Sequence, residues 1–191
     1  DRVAGRHPKT PLFVFGHSMG GTIAGLFALQ RPDALAGLAL SAPALVVPNE
    51  LFPLLRRLAA VGSVLFPRLR LVKMGGERMS SDPDVVAHFQ ADPLVFHGRM
   101  PTRTGGEILQ AGERLLQHAE RLAMPLLIMH GTGDVVTSPE SSRELHDRAP
   151  STDKTLKLYD GLYHDLPREP GKEQMFADIA QWLVRQVAVD E

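Results

Sequence analysis

The sequence predicts an α/β fold built on a parallel sheet, and three features indicate it. Short runs of strand length alternate with segments that have the helical period. Most of these runs are continuously apolar, as in strands that helices cover on both faces. Glycine, proline or aspartate closes each run, which is typical of a strand end. The 191 residues, 43% of them hydrophobic, suffice for one globular domain with its own core.

The predicted elements are spread over the whole chain. The predicted strands are Leu12–Phe15, Leu35–Ser41, Pro125–His130 and Thr155–Tyr159. The predicted helices are Ser18–Arg31, one that starts at Ser138-Pro139-Glu140, and Lys172–Val187. The helical period of the last helix predicts an apolar face made of Phe176, Ile179, Ala180, Leu183 and Val187.

The interval between the second and third predicted strands interrupts this alternation. Residues 44–124 have a helical pattern broken by several prolines, and they are too many for a simple crossover helix. We interpret them as a mainly helical cap inserted over the carboxyl edge of the sheet, where α/β folds bind their ligands. The predicted division is a core of residues 1–43 and 125–191, with a cap of residues 44–124.

Composition excludes several classes of function. The net charge of −1 and the sequence pI of about 6.8 indicate no surface field for nucleic acid, so no nucleic-acid partner is expected. Cysteine is absent, which excludes disulfides and thiolate catalysis and favours a reducing, cytoplasmic compartment. The spacing of His, Asp and Glu does not resemble a metal site, so neither a metal nor another cofactor is expected. The sequence does not indicate an oligomeric state.

One motif suggests chemistry. Gly16-His17-Ser18-Met19-Gly20 fits G-x-S-x-G, the strand–turn–helix elbow that presents a nucleophilic serine at the edge of a sheet. We expect Gly16 and Gly20 to face each other across the turn, where a Cβ on either would crowd the serine backbone. Because the motif is short, the prediction depends on suitable partners elsewhere in the chain.

Those partners are present in the required order. A serine hydroxyl needs an imidazole to take its proton and a carboxylate to orient that imidazole. In hydrolases with this elbow, the order along the chain is Ser, Asp or Glu, then His. Asp134 follows the third predicted strand and His164 the fourth, which predicts that both lie with Ser18 at the carboxyl edge. Asp160 and Asp165 are the alternative acids; Asp160 belongs to a strand end, and Asp165 adjoins the histidine that it would have to orient.

The remaining histidines are less suited to act as the base. We interpret four of them as surface residues: His7, His88, His118 and His146. His17 lies inside the elbow, where its side chain is expected to support the turn.

Four segments carry a family resemblance: "FGHSMGG", "DPLVFHGRMPTRTG", "HGTGDVVT" and "YHDLPREPGKEQMFADIAQWL". Together they resemble the monoacylglycerol lipase and lysophospholipase family of α/β-hydrolases, within a larger serine hydrolase group that includes some aminopeptidases. The resemblance covers nearly the whole chain and implies an α/β-hydrolase fold. It implies that Ser18 is the nucleophile, Asp134 the triad acid and His164 the general base. It also implies that the backbone N–H of Met19 is an oxyanion-hole donor.

The chain departs from this family at its beginning. The family has several more strands before the elbow, and a His-Gly pair in one of their loops supplies the second oxyanion donor. The His-Gly pairs of this chain, at 97–98 and 130–131, both follow the elbow. The chain is therefore expected to contain only the C-terminal part of the family's sheet, about four strands, and to lack the N-terminal part.

The cap has one distinctive segment. Leu51–Lys73 contains five basic residues, no acid and many large apolar side chains. We expect its apolar side to bind the substrate, through Leu51, Leu54, Leu55, Leu58 and Phe66. A basic, apolar segment of this kind also predicts a peripheral contact with a membrane or micelle.

The predicted function is that of a serine ester hydrolase that cleaves monoacylglycerol or related lipid esters through an acyl-enzyme. Lysophospholipase, general carboxylesterase and aminopeptidase are alternatives on the same scaffold. The acid-free segment Leu51–Lys73 disfavours an aminopeptidase, which needs acids to hold the substrate ammonium group. A non-catalytic binding module with this fold is the alternative of another class, disfavoured because all three triad residue types are present.

Overall fold

A computed structural model describes residues 5–7, 10–46, 62, 63, 65–73 and 76–188. The strands, in chain order, are β1 (Phe13–His17), β2 (Gly37–Ser41), β3 (Arg70–Lys73), β4 (Arg99–Pro101), β5 (Leu126–Gly131) and β6 (Lys154–Tyr159). The helices are α1 (Met19–Gln30), α2 (Pro83–Ala91), α3 (Thr102–Gln117), α4 (Pro139–Arg148) and α5 (Lys172–Ala188). Short 3₁₀ turns lie at Pro32–Ala34, Gly76–Arg78, Ala119–Arg121 and Leu166–Arg168.

Four of the strands form the main sheet. Their order is β1-β2-β5-β6, and all neighbouring pairs are parallel. The predicted α/β fold with about four parallel strands is confirmed, and each strand begins and ends within two residues of its prediction. Because the strands are parallel, their carboxyl ends lie at one edge, where Ser41 of β2 is in register with His17 of β1 and Met129 of β5.

Helices cover both faces of this sheet. Side chains alternate between the faces along each strand, so Leu38 and Leu40 of β2 pack in a cluster with α1, α3 and α4. Ala39 points the other way and packs in a second cluster with α5, which includes Trp182. Every residue of β2 and β5 is buried, which explains why both strands are continuously apolar up to their last residues.

The buried face of α5 differs from the prediction. Phe176 and Val187 are about half exposed, at 49% and 48%, whereas Met175 and Trp182 are buried. The Trp182 ring packs edge-on against Phe13, with a centroid distance of 5.6 Å, and this contact fixes the rotation of the helix. Ile179 and Leu183 pack against the core as predicted, whereas Phe176, Ala180 and Val187 are exposed, so the buried face is rotated by about one position from the predicted one.

Polar residues complete that buried face of α5. Asp178 accepts a hydrogen bond of 2.8 Å from the Tyr159 hydroxyl, and Gln186 donates one of 2.6 Å to Asp153. Because these partners satisfy them, the two polar side chains lie against the core without an unpaired group. Burial and the Asp178 carboxylate raise the pKa of Tyr159 above its ordinary value.

The described part of the predicted cap contains a small sheet as well as helices. Strands β3 and β4 pair antiparallel, which the sequence pattern did not predict. Helix α2 begins after Asp82, whose side chain accepts a hydrogen bond of 2.8 Å from the backbone N–H of Asp84.

Helix α3 packs beside α1 and forms part of the hydrophobic core. Leu115 and Leu116 are buried in the cluster that contains α1. A Cβ on Gly25 of α1 would overlap the Leu115 side chain, so the two helices approach closely at this glycine. The division of the chain into domains stays a prediction; we propose that the core also includes α3 and that the cap ends near Pro101.

Candidate active site

Ser18 occupies the turn between β1 and α1 with a strained backbone. Its φ of 55° and ψ of −124° are unusual for a residue with a Cβ. The turn is tied to neighbouring elements: the Ser18 N–H donates to the Ser41 carbonyl at 2.9 Å, and the Ser18 carbonyl accepts from Gly21 at 2.9 Å and Ala44 at 3.0 Å. These bonds hold the serine in the conformation that the elbow motif predicts.

Only one of the two motif glycines occupies a position with no room for a side chain. A Cβ on Gly16 would overlap the Gly20 carbonyl oxygen and would lie 2.7 Å from the Gly20 carbonyl carbon and 2.8 Å from the Gly21 Cα. A Cβ on Gly20 would meet nothing within 4 Å among the described residues. The expectation that a Cβ on either glycine would crowd the turn is wrong for Gly20. The backbone of Gly20 faces Gly16, but a Cβ on Gly20 would point into open space.

A chain of hydrogen bonds runs inward from Ser18. The Ser18 Oγ lies 2.8 Å from His164 Nε2, and His164 Nδ1 lies 2.7 Å from Asp134 Oδ2. Because a carboxylate can only accept, His164 carries its hydrogen on Nδ1 and offers the Nε2 lone pair to the serine hydroxyl. His164 and Asp134 are 1% and 4% exposed, so the inner part of this chain is shielded from water.

The sheet brings these three residues together. Ser18 follows β1, Asp134 follows β5 by three residues, and His164 follows β6. The two alternative acids have other partners: Asp160 accepts from Thr132 at 3.1 Å, and Asp165 pairs with Arg168 at 2.8 Å. Of the three aspartates that the sequence left open, the structure places Asp134 against His164.

Asp134 accepts hydrogen bonds on both carboxylate oxygens. Oδ1 accepts from the backbone N–H groups of Val136 and Thr137, at 2.7 and 3.0 Å. Oδ2 accepts from His164, from the Thr137 hydroxyl at 2.8 Å and from His130 Nε2 at 3.0 Å. Burial alone would raise the pKa of Asp134, but the bonds from His130 and His164 outweigh burial and hold that pKa below its usual range.

His130 also belongs to this network, although the sequence pattern predicts it only as a strand end. It is the fifth residue of β5 and fully buried, and its Nδ1 lies 2.7 Å from the Ser142 Oγ of α4. A histidine in an otherwise apolar buried strand, four residues before Asp134, was the available signal. Spacing along the chain could not show that the two side chains meet.

His17 contacts the end of β2 beside the elbow and also lies next to His164. Its Nδ1 is 3.1 Å from the Ser41 Oγ, and its ring centroid is 5.1 Å from that of His164. Burial lowers the pKa of His17 to about 4, and the neighbouring His164 contributes to that shift, while Asp165 acts in the opposite direction.

Glu169 joins the loop of His164 to the cap. Its carboxylate is buried and accepts from the Ser81 N–H and hydroxyl, both at 2.7 Å, and from the Tyr163 N–H at 3.2 Å. A separate backbone bond of 2.7 Å runs from the Asp165 N–H to the Met79 carbonyl. These bonds position the backbone on both sides of His164.

Of the other predicted site residues, two lie within the described residues and four lie outside them. Met19 is the first residue of α1, so its backbone N–H lies at the helix N-terminus, next to Ser18. Phe66 is 62% exposed. The remaining predicted cap residues lie outside the described residues: Leu51, Leu54, Leu55 and Leu58. In the described ranges, no group of three or more His, Asp and Glu residues could hold a metal ion.

Solved structures place the fold among the α/β-hydrolases. The crystal structure of the Paleococcus ferrophilus monoacylglycerol lipase superposes with a TM-score of 0.85 and 32% sequence identity, over 97% of this chain and 72% of that one. A family model described as "Serine aminopeptidase, S33" matches residues 1–171. The chain belongs to this family.

Two relatives are monoacylglycerol lipases by name. That of Mycolicibacterium smegmatis is 36% identical over 182 residues, which cover 95% of this chain and 65% of the relative. The monoglyceride lipase of Rattus norvegicus is 31% identical over 186 residues, covering 96% of this chain and 61% of the relative. The chain thus spans less than two thirds of the length of either relative.

No helix in the part of the chain that the structure describes is long and apolar enough to cross a membrane.

Proposed function

We propose that the protein is a serine hydrolase that cleaves monoacylglycerol or a related lipid ester. Ser18 is the nucleophile, His164 the general base and Asp134 the residue that orients His164. The observation that carries this proposal is the continuous hydrogen-bond chain from the Ser18 hydroxyl through His164 to Asp134, supplied by the ends of three different strands.

The reaction follows from these contacts. The Ser18 Oγ attacks the ester carbonyl carbon while its proton passes to His164 Nε2, 2.8 Å away. Asp134, held ionised by its donors, stabilises the imidazolium that forms. Collapse of the tetrahedral intermediate breaks the bond to the alcohol oxygen, which takes the proton from His164. Water, deprotonated by His164, then attacks the acyl-enzyme and releases the carboxylic acid and free Ser18.

The N-terminus of α1 supports the role of Met19. The first N–H groups of a helix have no acceptor within the helix, and they carry partial positive charge. The Met19 N–H lies directly after the nucleophile, so we assign it as a donor to the oxyanion of the intermediate.

The names of the relatives and exposed apolar side chains support a lipid substrate. Large apolar side chains are exposed in the described cap: Leu65, Phe66, Leu69, Leu94 and Phe96. We propose that Leu51, Leu54, Leu55, Leu58 and Phe66 bind the acyl chain, and that the cap touches a membrane or micelle surface peripherally. A cytoplasmic location remains a proposal based on the absence of cysteine.

The description of the family favours aminopeptidase as a second candidate. An aminopeptidase would place carboxylates where they can pair with the substrate ammonium group. The two carboxylates that lie close to His164 and His17, Asp134 and Asp165, are each already bonded within the protein.

The proposal can be tested with the full-length protein. Wild type is expected to react with a fluorophosphonate probe and to hydrolyse monoacylglycerol faster than an aminoacyl anilide. Ser18→Ala should lose labelling and lower kcat by ~10⁴-fold or more, and Asp134→Asn should lower it by about 10⁴-fold. The matched control Ser138→Ala, which changes a serine just before α4, should leave both unchanged.

Each outcome against the proposal is distinct. Labelling that persists in Ser18→Ala would remove Ser18 as the nucleophile. An aminoacyl anilide that is hydrolysed faster than every ester would indicate the aminopeptidase. Wild-type protein that binds lipid but neither reacts with the probe nor turns over ester would indicate a binding module.

A further inference from the structure

Two imidazole rings share one carboxylate oxygen at the centre of the site. His164 Nδ1 and His130 Nε2 lie 2.7 and 3.0 Å from the same Oδ2 of Asp134. The mechanism above uses His164 and leaves His130 without a role. His130 is nevertheless completely buried, and burying a titratable ring is costly unless each of its nitrogens has a partner.

The surroundings of His130 define which nitrogen carries its hydrogen. Asp134 Oδ2 is an acceptor, so Nε2 carries the hydrogen and donates it. In a neutral ring the Nδ1 lone pair accepts from the Ser142 hydroxyl, which is 2.7 Å away and fully buried on α4. The ring is thus held from two sides, by the loop after β5 and by α4.

We propose that His130 is a positioning residue of the hydrolytic site, a neutral imidazole that holds Asp134 Oδ2 toward His164 and sets the acid limb of the pH–rate profile. This inference rests on the proposed function. A hydrogen bond to a carboxylate withdraws part of its negative charge. Each donor on Oδ2 therefore weakens the attraction of Asp134 for a proton on His164.

Removing one donor gives a change of known sign. Without the His130 N–H, Asp134 presents more charge to His164, and the imidazolium becomes easier to form. His164 then takes up its proton at higher pH, and because only the neutral ring acts as base, the acid limb of kcat/KM moves to higher pH. Loss of one hydrogen bond to a charged group predicts a shift of about one pH unit.

Other charged groups around the pair do not account for such a shift. His17, at the end of β1, is neutral in the assay range because burial lowers its pKa to about 4. Asp165, in the loop after β6, pairs with Arg168 at 2.8 Å and lies 4.0 Å from His17. These groups are unchanged in variants of His130, and α4 contributes only the Ser142 hydroxyl to the network.

The test compares pH profiles of kcat/KM on a soluble ester with the full-length protein. His130→Leu should move the acid limb upward by about one unit and lower kcat, because Asp134 then has one donor fewer holding it toward His164. His130→Gln, whose amide N–H can reach Asp134, should keep the limb within a few tenths of a unit of wild type. His118→Gln, a matched change at an exposed histidine, should have no effect.

A second readout does not depend on activity. Nitrogen-15 NMR of histidine-labelled protein at the pH of the assay should show His130 protonated on Nε2 and not on Nδ1. Ser142→Ala removes the partner of Nδ1 and should perturb that nitrogen while leaving the Nε2 proton in place. This measurement also decides the case if His130→Leu does not fold.

Two results would overturn the inference. One is an active His130→Leu variant whose acid limb superimposes on that of wild type, because a merely structural role changes stability and not the profile. The other is an NMR spectrum in which His130 is cationic or protonated on Nδ1. If wild type instead lacks probe labelling and turnover, the proposed function fails, while the NMR result still tests His130.

Discussion

The two glycines of the elbow offer a matched pair of substitutions with opposite expected effects. In Gly16→Ala the new Cβ would meet three backbone atoms of Gly20 and Gly21 at distances that real Cβ atoms do not adopt. Backbone atoms in a packed turn cannot rotate away as the end of a side chain can. Overpacking of this kind costs about 1–3 kcal/mol, and we expect a value near the upper end.

Gly20→Ala should instead be neutral or stabilising. The added Cβ meets nothing within 4 Å among the described residues, and Gly20 lies inside the first turn of α1. Replacing a helical glycine by alanine stabilises by up to about 1 kcal/mol, because the unfolded chain loses freedom. The two variants should therefore differ by about 2–4 kcal/mol in unfolding free energy.

Urea denaturation followed by circular dichroism measures this difference. Hydrolysis of a soluble ester by the same samples measures displacement of Ser18, and we expect a large loss of kcat in Gly16→Ala only if the proposed nucleophile is correct. Equal unfolding free energies for the two variants, or a larger loss in Gly20→Ala, would refute the steric reasoning.

Two further predictions concern the half-buried His17 and the buried Glu169. Because the pKa of His17 falls from 6.5 to about 4 on folding, its neutral form is favoured, and that contribution to stability is present above pH 6.5 and is lost as pH falls towards 4. His17→Asn should remove up to ~3 kcal/mol of this pH dependence, measured by thermal unfolding at both pH values; an unchanged dependence contradicts it. Glu169→Gln places an amide N–H against donors from Ser81 and Tyr163 and should cost about 1–3 kcal/mol in chemical denaturation, more than Ser81→Ala, which leaves the Tyr163 bond intact. Equal costs would mean that the link to the cap does not depend on the carboxylate.

Much of the fold could be predicted because the responsible interactions leave a local pattern. A strand covered on both faces must be apolar at consecutive positions, so β2 and β5 stand out in the sequence. The grouping of Ser18, Asp134 and His164 follows from the same fact. Residues that come just after parallel strands share one edge of the sheet, whatever lies between them in the chain.

Other features depended on contacts that no local pattern contains. The helical period of α5 was correct, but its rotation was decided by the contact of Trp182 with Phe13, more than 160 positions earlier in the chain. Strands β3 and β4 likewise form only by pairing with each other, and the paired residues Lys73 and Arg99 are 26 positions apart in the chain. The helical period of a segment shows that the helix has an apolar face. Which residues lie on the buried face depends on the element against which the helix packs.

The active-site region divides in the same way. The sequence by itself determined the residue types, their order and the turn that holds Ser18, because the motif and the strand ends are local. The tertiary structure alone decided that Gly16 has no room for a side chain whereas Gly20 does. It also decided that His130 shares the Asp134 oxygen with His164. Contacts at 3 Å depend on how helices and strands pack in three dimensions, and spacing along a chain does not specify that packing.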